Sequence, residues 1–234
     1  MAGKKIGIVI FPGTNCDHDL VHVVRAHLKL EAVPLWHSEA DLKGVAAVLI
    51  PGGFSYGDYL RTGALAKLSP LLGEVKKFAE AGGPVVGVCN GFQILCEAQF
   101  LPGALLINQR TQFLSRPVSL KIEQNSCVFT KGLDIGTIFS APIAHGEGRY
   151  YVPNDQLKSL QDHNQIVFRY TDQDGAWSEK DFNSNPNGSL LSIAGICNKQ
   201  GNVVGLMPHP ERVVDEVVGG EQGLALFRAL ASSL

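Results

Sequence analysis

The chain has 234 residues, 45% of them hydrophobic and 18% charged, with a formal net charge of −2. That balance excludes a disordered chain and a basic nucleic-acid binder, and the length suits one large α/β domain over residues 1–234 or two small ones. Five irregularly spaced cysteines do not make a disulfide framework, and apolar runs such as residues 45–50 are far too short to cross a bilayer, so a cytoplasmic protein without membrane contact is expected.

Residues 5–11 (KIGIVIF) read as a first strand, stopped by Pro12-Gly13. No small-residue cleavage site follows the opening Met1 to Phe11, so no secretory leader is expected. Residues 17–28 predict a helix with Leu20, Val23, Val24, His27 and Leu28 on one face. Residues 32–36 and 45–50 predict two more strands, the latter ended by Pro51-Gly52-Gly53. A helix is predicted over 64–81, with a stripe of Leu65, Leu68, Leu72, Val75, Phe78 and Ala79. Residues 84–88 are a fourth strand, and a helical pattern begins at Phe92. Alternating strands and helices imply β-α-β units, right-handed crossovers and a mostly parallel sheet with helices on both faces. Ligands of such sheets bind at the carboxyl ends of the strands, where Pro12-Gly13, Gly52-Gly53 and Cys89 all fall.

Past Pro102 the texture changes. Residues 117–124, 136–143, 166–171 and 189–197 read as strands with few helical patterns between them, so an antiparallel or mixed addition to the sheet is expected. Residues 183–188 (NSNPNG) are a turn cluster. Residues 202–207 predict a last strand ending at Pro208-His209-Pro210-Glu211-Arg212, and residues 222–231 a closing amphipathic helix. No repeat or low-complexity linker marks a second domain.

Three stretches carry chemistry. Gly87-Val88-Cys89-Asn90-Gly91 is the cysteine form of a nucleophile elbow, a sharp strand-to-helix turn that lifts a reactive atom above the sheet. The glycines leave room where strand and helix nearly touch, and the helix N-terminus favours a thiolate. The alternative is an inert buried cysteine. His209 and Glu211 can supply a base and the acceptor that orients it, or they are a surface pair in a proline-rich loop. The loop Pro51-Gly52-Gly53 either is a plain turn or adds an oxyanion donor, with the backbone N–H groups of Gly53 and Asn90 as the candidate pair.

Residues 87–93 (GVCNGFQ) with His209-Pro210-Glu211 resemble the triad, or class I, glutamine amidotransferases. Residues 12–17, 51–61, 144–148, 193–198 and 205–212 are similar, more narrowly, to the family of small glutaminase subunits of phosphoribosylformylglycinamidine synthases, and the likeness runs nearly end to end. The resemblance implies a flavodoxin-like layered fold and a ligase-complex subunit of purine nucleotide biosynthesis that hydrolyses L-glutamine to glutamate and ammonia. It implies that Cys89 forms a thioester, His209 moves the proton, Glu211 orients His209, and Gly53 and Asn90 hold the oxyanion. It implies further that Gln93 contacts bound glutamine and that His145, Gly146 and Glu147 shape the pocket or the partner-facing surface. No cofactor is expected in this chain, which has no phosphate-binding G-x-x-x-x-G-K-[ST] loop. ATP and Mg²⁺ are expected on a large synthetase partner, which converts formylglycinamide ribonucleotide to formylglycinamidine ribonucleotide, with a small accessory subunit in the complex.

Two rival readings keep part of this pattern: another amidotransferase or cysteine hydrolase with the same elbow, and a non-catalytic interaction module on a relic fold. His18 and His22 stand four apart on a predicted helix, but with no third ligand in view no metal is expected. Cys16 and Cys96 are read as structural, and Cys127 and Cys197 have no partner in a motif.

Overall fold

Lys5–Ile10 (β1) is the strand from which the sheet grows in both directions in the computed structural model, which describes residues 3–234. Met1 and Ala2, the head of both the 1–234 span and the segment read for a leader, lie outside the described residues. β1 pairs in parallel with Glu31–Trp36 (β2) on one side and Ala47–Ile50 (β3) on the other. Val85–Val88 (β4) follows β3 in parallel. β3 and β4 are buried along their whole length, as continuous apolar strands covered on both faces must be.

The chain first moves from β1 to β2, then reverses through β3 to β4. Right-handed crossovers therefore place the helices of the two connections on opposite faces, and the reversal opens a crevice at the strand carboxyl ends. The first connection is Asp17–His22 (α1), continued by a π-helical turn over Val23–His27 in which the Leu28 amide donates to the Val23 carbonyl. Leu20, Val23 and Val24 are buried as the apolar stripe requires.

The second connection departs from the long helix expected over 64–81. Pro70 forces Ser69 into an extended conformation, so the helix proper is Pro70–Glu80 (α2), preceded by a short 3-10 turn at Ala66–Leu68. Its inward face is Leu71, Leu72, Val75 and Ala79, while Leu68 is 72% exposed. After β4 comes Asn90–Glu97 (α3), packed on β3 and β4.

The antiparallel addition is Leu114–Ile122 (β6), Ile138–His145 (β7), Ile166–Thr171 (β9) and Ile193–Cys197 (β10). Val203–Leu206 (β11) joins the two halves, parallel to β4 and antiparallel to β10. The full order is β2-β1-β3-β4-β11-β10-β9-β6-β7. Two short strands, Ala104–Leu106 (β5) and Arg149–Tyr151 (β8), form a separate antiparallel pair, and Asn154–Asp162 (α4) lies between β8 and β9. The sequence reading missed all three because their apolar signal is short; α4 buries only Leu160. Leu224–Ser232 (α5) ends the chain.

β6 and β7 run on past β9. Leu114 to Val118 pair with β7 alone, Ser119 to Lys121 pair with β7 and β9, and Ile122 pairs with β9. This overhang matters for the site, because it carries the end of β7 beyond the flat run of the sheet. Among the described residues no helix is long and apolar enough to cross a membrane.

Candidate active site

Four strand carboxyl ends meet at one point: the loops after β1, β3, β4 and β11 carry Asn15-Cys16, Gly52-Gly53, Cys89 and His209. The loop after β1 is laced to the loop after β3. The amides of Asn15 and Cys16 donate to the Gly52 carbonyl, and the amide of Phe54 to the Gly13 carbonyl.

Cys89 is the residue between β4 and α3, with φ 52° and ψ −106°. A non-glycine residue in that region carries strain on the order of 1–3 kcal/mol, held only where the surroundings over-determine it. The surroundings here are close contacts. A Cβ added at Gly91 would lie 2.0 Å from the Ile50 carbonyl oxygen, and one at Gly87 would lie 2.6 Å from the Gly91 backbone. The elbow therefore packs helix against strands with no space for a side chain at either position. The Cys89 amide donates to the Leu206 carbonyl, which ties the elbow to β11.

His209 follows β11 by three residues and is 1% exposed. Its Nδ1 lies 2.6 Å from Oε1 of Glu211, itself 2% exposed. The short 3-10 turn Pro210–Arg212 brings Glu211 back onto the ring two residues earlier. Nε2 of His209 is buried without a hydrogen-bond partner of good geometry, and the Cys89 and Cys16 sulfurs face it. Burial pulls the His209 pKa down, but the negative charges of Glu211 and Cys89 outweigh burial, and the net direction is well above the ordinary histidine value.

Cys89, His209 and Gly53 line a cavity of about 120 Å³ together with Asn15, Cys16, Phe54, Phe113, Ala144 and Arg212. A larger cavity of about 710 Å³ between α3 and α4 contains none of the candidate catalytic groups. The small cavity is where the chemistry converges. The overhang of β7 closes it from above: the Ala144 carbonyl lies 3.7 Å from the Cys89 sulfur, and the Pro142 carbonyl accepts from the His209 amide.

Of the oxyanion candidates, Gly53 lines that cavity with Cys89, and Asn90 follows Cys89 in the chain without lining it. Asn90 is the first residue of α3, so its amide has no intrahelical acceptor. The Gly53 amide makes no backbone hydrogen bond among the described residues, and Gly53 holds φ 145°, which favours glycine. A Cβ at Gly53 would meet the Gly13 carbonyl at 2.7 Å.

Gln93, His145, Gly146 and Glu147 are not in that cavity wall. Gln93 and Glu147 belong to a chain of hydrogen bonds behind it. The Ser55 amide donates to Oδ1 of Asn90, Nδ2 of Asn90 to Oε1 of Gln93, and Nε2 of Gln93 to the Glu147 carbonyl. The Thr62 hydroxyl donates to the Glu147 carboxylate, which closes the chain onto the same loop. Nearby Asp58 is pushed up to about 6 by burial and by the Glu147 charge. His145 Nδ1 lies 3.1 Å from Oδ1 of Asn108, and burial, with the His209 charge adding, pushes its pKa down to about 3, so the ring is neutral. The amide of Asn108 donates to the Gly146 carbonyl.

Sequence reasoning missed four contributors. Asn15 and Cys16 lie in the 12–17 stretch that the resemblance singled out, yet Cys16 was read as structural. It is buried, but at the site and among polar groups. Its sulfur accepts from Nη2 of Arg212 at 3.1 Å and lies 3.1 Å from Oδ1 of Asn15. Arg212 also holds Asp19 through Nε at 3.2 Å, and it directly follows Glu211 in sequence, which is the signal by which it could have been found. Phe113 has no such signal, since only the β6–β7 overhang brings it to the site. Cys96 is buried, and desolvation pushes its thiol above the usual range.

The class follows from comparison with known proteins. Residues 3–221 match the family described as the CobB/CobQ-like glutamine amidotransferase domain. The chain is 49% identical over 234 residues, all of its own length and 99% of the other, to phosphoribosylformylglycinamidine synthase subunit PurQ of Chlorobaculum tepidum. It is 50% identical over 228 residues to the protein of that name in Thermomicrobium roseum, covering 97% of this chain and 95% of that one. A chain of the PurLQS structure from Thermotoga maritima superposes with a TM-score of 0.85 at 39% identity, covering 98% of each chain. This chain therefore belongs to the glutamine amidotransferases, and within them to the PurQ family.

Proposed function

We infer that this chain is the glutaminase subunit of a phosphoribosylformylglycinamidine synthase, working in the cytoplasm in purine biosynthesis. The observation that carries the reading is the buried His209–Glu211 pair, 2.6 Å apart, with the open Nε2 of His209 turned to the sulfur of a strained elbow cysteine.

In this mechanism the Cys89 sulfur attacks the side-chain amide carbonyl of glutamine. The C–S bond forms as the carbonyl electrons move onto oxygen, where the amides of Gly53 and Asn90 receive the charge. His209 gives its proton to the nitrogen, the C–N bond breaks, and ammonia leaves a thioester. Water then loses a proton to His209 and attacks the thioester, which releases glutamate and restores the sulfur. Glu211 holds Nδ1–H, so Nε2 is the nitrogen that exchanges the proton. The chain of bonds through Asn90, Gln93 and Glu147 positions the Asn90 amide rather than contacting the reacting atoms.

Ammonia passes to a large synthetase subunit that holds ATP, Mg²⁺ and formylglycinamide ribonucleotide, with a small accessory subunit in the assembly. The test is glutamate release from glutamine, measured with and without the synthetase, the accessory subunit, ATP and formylglycinamide ribonucleotide. Strong stimulation by the full set is expected. Cys89→Ser should lose glutamine-dependent synthesis by roughly 10³-fold or more and keep synthesis from added ammonia. Loss of both in a folded variant would refute the division of labour; release indifferent to the partners would reopen the acceptor.

A further inference from the structure

We propose that His22, His27 and Asp215 form a binding site for a divalent transition ion of the zinc type. The three side chains come from opposite ends of the chain and meet on the surface of the first helical connection. Nε2 of His22 lies 2.9 Å from Oδ2 of Asp215, and Nε2 of His27 lies 3.0 Å from Oδ1 of the same carboxylate. All three ligand atoms fall within 4.8 Å of one another. Two imidazole nitrogens and a carboxylate are the donor set that suits zinc and its neighbours in the first transition row.

The π-helical turn makes this possible. In an α-helix, residues five apart stand about 140° apart around the axis. The i to i+5 bonding of the π-turn stacks them instead, and such single turns recur at functional sites. The bond from the Leu28 amide to the Val23 carbonyl is of this kind. It leaves the His22 and His27 rings with centroids 5.2 Å apart at 81°. His18, four residues before His22, points away: its side chain is 94% exposed.

A second observation points to a ligand. Nε2 of His27 is fully buried, yet it has no hydrogen bond of acceptable geometry, although the Asp215 carboxylate is close. A ring nitrogen 3.0 Å from a carboxylate oxygen that it does not hydrogen-bond suits a lone pair offered to an ion better than an N–H that misses its acceptor. Among the described residues Asp215 has no lysine or arginine partner; its ion pairs are with the two histidines. Donors about 2.0–2.2 Å from a tetrahedral ion stand roughly 3.3–3.5 Å apart, so a small rotation of the carboxylate accommodates one. His22 is 53% exposed at its side chain, which leaves water free to complete the coordination. Asp215 lies three residues after Arg212, whose side chain reaches Cys16 in the candidate active site. The ion therefore clips the segment after Arg212 onto the helix of the first connection.

The test is equilibrium dialysis of the full chain against Zn²⁺ and, separately, Co²⁺, with metal counted by atomic absorption. Wild type and Cys89→Ser should each retain a single equivalent that His27→Gln and Asp215→Asn lose, and the Co²⁺ form should show visible d–d bands without a thiolate charge-transfer band. Circular dichroism of the metal-free variants checks that they fold; if either does not, the exposed ring in His22→Ala serves in its place. No bound metal in a folded wild type, an equivalent that survives both variants, or one that disappears in Cys89→Ser or brings a thiolate band would overturn the site.

Discussion

The parallel and antiparallel halves of the sheet contribute to the candidate site in different ways. The parallel strands β1, β3, β4 and β11 deliver Cys16, Gly53, Cys89 and His209 because their carboxyl ends all open on one side. This placement follows from topology. The antiparallel half reaches the same point by overhang: β7 is the far edge strand, five positions from β4 in the order, which would be about 24 Å in a flat sheet. Yet the Ala144 carbonyl stands 3.7 Å from the Cys89 sulfur. The parallel half thus holds the reacting groups on backbone that cannot shift, and the antiparallel half supplies the cover.

Three experiments test this contrast. The largest expected effect is in the loop after β11. Glu211→Gln keeps the shape of the side chain and removes the charge beside His209 Nδ1. Glutamine turnover in the assembled complex should fall roughly 10²–10⁴-fold, mostly in kcat. A variant within threefold of wild type would remove Glu211 from the mechanism.

Gly91→Ala comes next, as a probe of the elbow backbone. Its new Cβ would fall 2.0 Å from the Ile50 carbonyl oxygen, and neither backbone can give way without moving β3 or α3. A loss of about 1–3 kcal/mol or more in unfolding free energy by urea titration is expected. An unchanged midpoint would mean that the elbow has slack the contacts deny.

The smallest effect tests the cover. His145 is held neutral in the folded chain, pushed down to about 3 by burial with the His209 charge adding. The unfolded chain takes up that proton near pH 6.5 while the folded chain refuses it, so stability falls as pH drops from about 6.5 toward 3. His209 works in the opposite sense. Its raised pKa contributes stability that is fully present below about 6.5 and is lost as pH rises through the folded value. His145→Gln should therefore reduce the stability lost between pH 6.5 and pH 5 by about 2 kcal/mol, measured by urea unfolding at both values. An identical pH dependence in the variant would show that His145 is not the group that resists protonation.

Much of the parallel half was readable because its signals are local. Valine-rich runs ended by Pro-Gly or Gly-Gly mark buried strands, and G-x-C-x-G needs only five consecutive residues to specify a strained turn. The 64–81 helix failed locally too: Pro70 restricts Ser69, a rule that outranks an apolar stripe. The overhang was not readable, since the register of β6 on β7 beyond the end of β9 is a property of three strands together. Gln93, His145 and Glu147 were named from a motif, but the bonds of Gln93 to the Glu147 carbonyl, His145 to Asn108 and Glu147 to Thr62 join distant parts of the chain.

The alternation of strands and helices, the elbow around Cys89 and the His209-Pro210-Glu211 turn are written in the order of residues alone, because backbone sterics and short-range apolar period act between neighbours. Packing in three dimensions brings Cys16 and Arg212 together beside His209, lays β7 over the sulfur, and closes His22 and His27 on Asp215. The reason is physical: each of those contacts joins groups far apart in the chain. Their distances are set by how the sheet, its overhang and one π-helical turn pack, which no window of sequence contains.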